Sequence, residues 1–385
     1  MQKFDYGIQF FGTNLDQKLI DEKIKILKSG IGNLIFYLVI AGTDTSQIQG
    51  ISSAGTNAIA RKRTALADAE FLLYGPSSDH KYKLPFLYAG VTPALISYAC
   101  SKLICASPIV VPIGINEKPY FNHLSVESHL VGPANCITTG HSMTKERVLN
   151  LYNKGIEIGK SSLSPIFIAE SVPGGTTTAQ AVMEAYGLNV SSLVGSSLFN
   201  APRDLKKAVI KKALLNSNLN NNFDSIDVLS SVGDPFQAFA MGLLIGARLS
   251  NQTVILAGGS QMLAVILLAL ELIDINDKQE FVEHIFLATT KWLISDHSLI
   301  NLMNLISKKH NVNLLGIASN LSFKSSKLKE LKDYELGHVK EGVGAGGFSM
   351  LANLIGFNNE EIISLCQLNL EKMKNIGQIS LYEDI

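Results

Sequence analysis

The chain has 385 residues, 46% of them hydrophobic and 17% charged, which is enough apolar material for a large buried core and too much for a disordered or fibrous protein. Lysine plus arginine and aspartate plus glutamate each total 33, so the formal net charge is zero and no overall field draws the chain to nucleic acid or to an anionic membrane. Small molecules are the expected partners.

Residues 1–6, Met-Gln-Lys-Phe-Asp-Tyr, lack the basic cap and apolar core of a secretion signal. The longest strongly apolar stretch, 262–270, is far shorter than the ~20 residues that span a bilayer. A cytoplasmic location is expected. The isolated thiols Cys100, Cys105, Cys136 and Cys366, with no Cys-x-x-Cys, suit a reducing compartment and indicate neither a disulfide framework nor a zinc site.

In chain order, 17–27 is a charged amphipathic helix, and 34–41 is a run rich in β-branched residues followed by the loop Gly42-Thr43-Asp44-Thr45-Ser46. Further strands are expected at 108–115, 165–170, 226–232, 253–258, 285–289 and 314–318. Helices are expected at 144–160, 176–186, 235–249 and 261–273, with an asparagine-rich surface loop at 216–222 and a charged helix at 360–374. Alternating strands and helices, with strands apolar throughout, predict an α/β fold: a Rossmann-like parallel sheet with helices on both faces. A large α/β nucleotide-binding catalytic domain is expected over 30–350, with 1–29 and 351–385 forming a small helical lobe.

Ligands of such sheets sit beyond the carboxyl ends of the strands. The segment Glu170-Ser-Val-Pro-Gly-Gly-Thr-Thr-Thr178 stands there, joining the strand at 165–170 to the next helix. Gly174 and Gly175 let a ligand approach the backbone, the helix start offers free N–H groups, and Thr176, Thr177 and Thr178 add hydroxyls, a pattern suited to a phosphate monoester. The same residues also suit a tight turn with Thr176 capping a helix. Glu170 adds an acid at the strand end, where it is costly without solvent or a partner. No lysine follows the glycines as in a Walker loop, so nucleoside triphosphate hydrolysis is not expected.

Residues 342–347 formally satisfy Gly-x-Gly-x-x-Gly, but the polar residues 338–341 before them are no buried strand, and too little chain follows for a dinucleotide domain. Glu341 beside Gly342 and Gly344 is either a solvated loop residue or a base whose pKa a ligand would raise.

Together these residues resemble the nicotinate-nucleotide:dimethylbenzimidazole phosphoribosyltransferases, and more closely their archaeal and cyanobacterial, UPF0284-type branch, over about residues 34–350. Glu170 with Gly174-Gly175-Thr176-Thr177-Thr178-Ala179 is similar to the family's Glu-x-x-x-Gly-Asn-Thr-Thr-Ala phosphate segment, with Gly175 in place of asparagine. Glu341-Gly342-Val343-Gly344-Ala345 is similar to its Glu-Gly-Thr-Gly-Ala segment, with Val343 in place of threonine. Gly246-Ala247-Arg248 with Gly258-Gly259-Ser260-Gln261 resembles the stretch bordering the family's pocket, and Gly50-Ile51-Ser52-Ser53-Ala54-Gly55 resembles the segment near the aromatic base.

The resemblance implies transfer of ribose 5-phosphate from nicotinate mononucleotide to an aromatic base in cobamide synthesis, by a homodimer without metal or other cofactor. It implies Glu341 as general base and Glu170 as a carboxyl at the ribose. The phosphate and ribose would lie among Gly174–Thr178, Gly258, Gly259 and Ser260, with Gly342 and Gly344. The acceptor stays open: dimethylbenzimidazole, adenine or another purine, or a phenol. A non-catalytic nucleotide-binding or sensory protein with the same fold is the alternative.

Overall fold

The computed structural model describes residues 2–3, 7–52, 54–55, 57–195 and 202–379, so Ser53 of the segment 50–55 and the chain ends at 1, 4–6 and 380–385 lie outside the described residues. Eight strands form one sheet in the order β1-β2-β8-β7-β6-β5-β3-β4. They are β1 (Gln2–Lys3), β2 (Ile8–Gly12), β3 (Ile35–Ala41), β4 (Ile109–Ile113), β5 (Ile166–Ser171), β6 (Val254–Ala257), β7 (Ile285–Thr290) and β8 (Leu315–Ser319). From β8 to β4 all pairs are parallel; β2 adds antiparallel to β8, with Phe10 opposite Ile317, and β1 pairs antiparallel with β2 to close that edge.

Both faces are covered, which explains why the strands read as unbroken apolar runs. Along β3, Tyr37, Val39 and Ala41 enter one core and Phe36, Leu38 and Ile40 the other, the two-residue period of a pleated strand dividing one run between two layers. The first layer contains helices Lys145–Ser161, Gly175–Ala185, Pro235–Leu249, Ser260–Leu270 and Ser298–His310. The second contains Ala58–Tyr74, Ala94–Leu103 and Ala345–Leu354, and the terminal helices Gln17–Gly30 and Asn359–Asn375 bury Ile24, Leu27, Ile362 and Leu370 in that same core.

One expected strand is a helix. Residues 226–232 lie in Ser225–Val232, where Asp224 accepts from the Asp227 N–H at 2.9 Å and the Asp227 carboxylate accepts from the Asp224 N–H at 3.3 Å. That reciprocal cap starts a helix and overrides the strand preference of Ile226, Val228 and Val232. The sheet also gains the antiparallel pair β1 and β2 beyond β8, and the helix Ala58–Tyr74 forms in the poorly patterned N-terminal third.

Helices Lys145–Ser161 and Pro235–Leu249 touch backbone to backbone. A Cβ on Gly159 would stand 2.4 Å from the Leu243 carbonyl oxygen and one on Gly246 2.5 Å from that of Ile156. Gly246-Ala247-Arg248 therefore does not border the ligand pocket: Gly246 serves this packing, and Arg248 donates to the carbonyls of Phe281 and Gln252 at 3.0 and 2.9 Å.

Candidate active site

Two adjoining cavities of about 140 and 90 Å³ open where β5 ends. Glu170, Thr176, Val339, Glu341 and Gly342 wall both. The larger continues along Pro85, Leu87, Pro93 and Val343 to Asp68 and Thr92, while the smaller is closed by Gly259, Ser260, Gln261 and Ser298. Both are more apolar than polar: the larger ends on the Asp68 carboxyl, and the smaller sets the hydroxyls of Thr176, Ser260 and Ser298 beside Asp296 and among Leu193, Leu293 and Leu299.

β5 and the turn after it set the first half of the site. Gly174 takes φ +85°, a left-handed value open to glycine, and the helix Gly175–Ala185 starts directly after it. Thr176 faces the cavities, but Thr177 is buried with its hydroxyl unpartnered among the described residues, and Thr178 donates to the Asp234 carboxylate at 2.5 Å. Asp234 caps helix Pro235–Leu249 and also accepts from Gln261 Nε2 at 2.8 Å, while Gln237 Nε2 donates to Gln261 Oε1 at 2.7 Å. Gly175 serves this buried network: a Cβ there would stand 2.4 Å from Gln261 Nε2.

The second half is a strained loop. Val339, Lys340 and Val343 all have positive φ, 63°, 54° and 53°, rare for any residue with a Cβ and rarer for a β-branched one. The Lys340 and Glu341 N–H groups donate to the carbonyls two residues back at 2.7 and 2.6 Å, so two tight positive-φ γ-turns follow one another. The loop is pinned by Val343 N–H to the Glu170 carbonyl at 3.0 Å, by Thr290 Oγ1 to the Lys340 carbonyl at 2.6 Å and by Ser97 Oγ to the Val343 carbonyl at 2.8 Å. The Glu341 and Glu170 segments are thereby hydrogen-bonded to each other.

The Glu341 carboxylate accepts from Thr289 Oγ1 (3.1 Å), Thr290 N–H (2.9 Å), Gly342 N–H (3.1 Å) and Gly346 N–H (3.1 Å). Burial raises its pKa to about 7 against the pull of those donors. Glu170 keeps part of its surface open at the cavity wall, yet so much protein surrounds it that burial, with the nearby Asp234, Glu341 and Asp68, raises its pKa to about 8. Of the two carboxyls, Glu170 is the more readily protonated.

Eight of the residues read from the sequence border these cavities: Glu170, Gly174, Gly175, Thr176, Gly259, Ser260, Glu341 and Gly342. Thr177, Thr178, Gly258 and Gly344 do not. Gly344, at φ +73°, lets the next helix lie on the sheet, where a Cβ would meet that of Ala169 at 2.7 Å. From the segment 50–55, Ser52 and Ala54 line the larger cavity.

Two residues that the sequence reading passed over join the site. Lys206, 1% exposed on helix Arg203–Asn216, donates to Thr176 Oγ1 at 2.8 Å and to the Gly195 carbonyl at 3.0 Å, and burial lowers its pKa to about 8. Asp68, on Ala58–Tyr74, accepts from Thr92 Oγ1 at 2.7 Å and Ser171 Oγ at 2.8 Å. Among the described residues no group of three or more histidine, cysteine or acidic side chains is placed to hold a metal ion, and no helix is long and apolar enough to cross a membrane.

Residues 96–277 match a family model described as phosphoribosyltransferase, a span that holds Glu170 and the glycine turns and ends before Glu341. A UPF0284 protein of Prochlorococcus marinus subsp. pastoris is 70% identical over 384 residues, covering 100% of each chain. Another UPF0284 protein, from Parasynechococcus marenigrum, is 37% identical over 374 residues, covering 95% of this chain and 94% of its own. The crystal structure of CobT from Thermus thermophilus superposes with a TM-score of 0.58 at 12% identity, over 93% of this chain and 92% of that one. A nicotinate-nucleotide-dimethylbenzimidazole phosphoribosyltransferase structure from the same organism gives 0.56 at 13%, over 95% and 100%. At that identity the likeness is one of fold, and it agrees with the α/β architecture expected from the sequence.

Proposed function

The chain belongs to the UPF0284 protein family, and from that premise we propose that it transfers ribose 5-phosphate from nicotinate mononucleotide to a nitrogen of an aromatic base, a step of cobamide synthesis. The observation that carries this reading is the meeting of Glu170 and Glu341 where the two cavities join, the smaller with the hydroxyls of Thr176, Ser260 and Ser298 and the larger with Pro85, Leu87 and Pro93. Thr176 and the Gly259 and Ser260 turn offer hydroxyl and N–H groups to a phosphate, and the Lys206 ammonium stands behind Thr176 at one hydrogen bond's remove. Pro85, Leu87, Pro93 and Val343 offer flat apolar contact to a ring.

In the reaction the acceptor nitrogen attacks the anomeric carbon as the bond from that carbon to the pyridinium nitrogen breaks. The bonding pair leaves with the ring, which becomes neutral nicotinate, so no acid has to protonate it. The enzyme's tasks are positioning and removal of the acceptor's N–H proton. Glu341, with a pKa of about 7, takes that proton. Glu170, with a pKa of about 8, is mostly protonated at neutral pH and donates a hydrogen bond to a ribose oxygen. The pair thus divides the base and donor roles between two carboxyls in different surroundings.

The test is incubation with nicotinate mononucleotide and a panel of bases, read by mass spectrometry for released nicotinate and the new riboside phosphate. Product is expected. Glu341→Gln is expected to lower kcat by roughly 10²–10⁴-fold with little change in donor KM, the signature of a lost proton transfer. Absence of product with every base would overturn the reading in favour of a non-catalytic nucleotide-binding protein.

A further inference from the structure

The ring-side cavity ends on a carboxyl, Asp68, that no cation among the described residues balances. Asp68 is 5% exposed and lines the cavity with Thr92 and Ser171, each of which gives it one hydroxyl hydrogen bond. Among the described residues no lysine or arginine pairs with it. Thr64, another lining residue, turns its hydroxyl to the Ala54 carbonyl at 2.6 Å and so does not serve Asp68. A carboxylate accepts about four hydrogen bonds, so among the described residues lone pairs on both oxygens remain without a donor.

Burial raises the Asp68 pKa to about 6, with Thr92 and Ser171 pulling down, so the group is largely ionised at neutral pH. A buried carboxylate beside Leu87, Pro93 and Val343 is costly unless something donates to it. Its place is built rather than incidental. Ser171 follows Glu170 on β5, and successive strand side chains point to opposite faces, so the acid at the reaction centre and the hydroxyl that orients Asp68 are fixed by one strand.

We propose that Asp68 is a specificity-determining residue that accepts a hydrogen bond from an O–H or N–H group on the acceptor ring, on the edge remote from the attacking nitrogen. The acceptor class is then a nitrogen heteroaromatic carrying a hydroxyl or amino group on that edge, in preference to one edged only with methyl groups. This rests on the larger cavity being the acceptor site, as in the transfer reaction above. Without the donor, Asp68 would be covered by the ring with lone pairs unmet, and sites built for a hydrogen bond reject such analogues strongly.

The experiment is calorimetric titration of the full chain with 5-hydroxybenzimidazole and 5-methylbenzimidazole, rings of nearly equal size. The wild type is expected to bind the hydroxyl compound at least ~10-fold more tightly, as for a hydrogen bond to a charged group. Asp68→Asn is expected to cut that ratio to within about threefold, since only a weaker neutral acceptor is left. Thr92→Val, which loosens Asp68 without removing it, is expected to lower the ratio part of the way and serves if Asp68→Asn does not fold. Equal affinities in the wild type, binding of neither ring, or a ratio unchanged in the variants would overturn the inference even if transfer activity is found. A ratio that depends on Asp68 in a protein that forms no product would sustain the assignment and sink the catalytic reading instead.

Discussion

Lys206 shows how much a single residue discloses when its surroundings are known. Its ammonium sits in the protein with a hydroxyl and a carbonyl as hydrogen-bond partners and, among the described residues, no carboxylate, an expensive arrangement that suits a waiting anion. If that anion is the donor's 5-phosphate, Lys206→Met, which keeps the length and removes the charge, should raise KM for nicotinate mononucleotide by roughly 10–100-fold and alter kcat much less. The same change should leave use of nicotinate riboside, which has no phosphate, nearly unaffected. Steady-state kinetics with both donors decides the matter, and an equal loss for the two would remove Lys206 from the phosphate site. The residue was legible in principle. Lys206, Val209, Ile210 and Ala213 share one helical stripe, so a cation stood among apolar side chains at i, i+3, i+4 and i+7. Asp68 was harder to see, because helix Ala58–Tyr74 also buries Arg61, Thr64 and Glu70 and shows no clean apolar face.

Among the elements, the two glycine-rich segments were readable as site-forming, but the work done by each glycine was not. Chain order could not reveal that Gly175 faces Gln261, which lies 86 positions on and holds Asp234. Nor could it separate Thr176, at the cavity, from Thr177 and Thr178, which point inward, because one helical turn distributes adjacent side chains over three directions. Gly175→Ala should displace the Gln261 amide from the buried Asp234 carboxylate and cost about 1–3 kcal/mol, seen as a lower urea midpoint. Gln261→Ala removes both the obstacle and the hydrogen bond, so adding Gly175→Ala to it should cost clearly less than in the wild type. Additive losses in that double-mutant cycle would show that the glycine matters for some other reason.

Across the whole molecule the sequence pattern carried far, since a parallel sheet covered on both faces writes itself as apolar runs separated by amphipathic helices, and six of the seven expected runs are strands. The exception at 226–232 fell to a cap, and the short antiparallel β2 fell outside an alternating scheme. What no run could disclose is that the fold gathers Asp68, Glu170 and Glu341, from residues far apart in the chain, into one poorly solvated space, raising the pKa of each, to about 6, 8 and 7. Raised carboxyl values mean that the native state holds protons that the unfolded chain has released. The stabilisation of the protonated groups is therefore complete below the ordinary glutamate value of 4.5 and is lost as pH climbs through the folded values. Lys206, lowered to about 8 from 10.5, acts oppositely and only between those two values, where the unfolded chain binds the extra proton. Between pH 5 and 8 the three carboxyls make stability fall as pH rises, while His80 and His284, whose folded values burial lowers, act the other way, so the share that belongs to Glu170 is read by removing it. Glu170→Gln, which cannot ionise, should become the more stable protein by roughly 1–3 kcal/mol at pH 8.5 while differing little at pH 5. Paired urea unfolding curves at the two pH values measure this, and a gap of the same size at both would mean that Glu170 does not carry the proton the fold assigns to it.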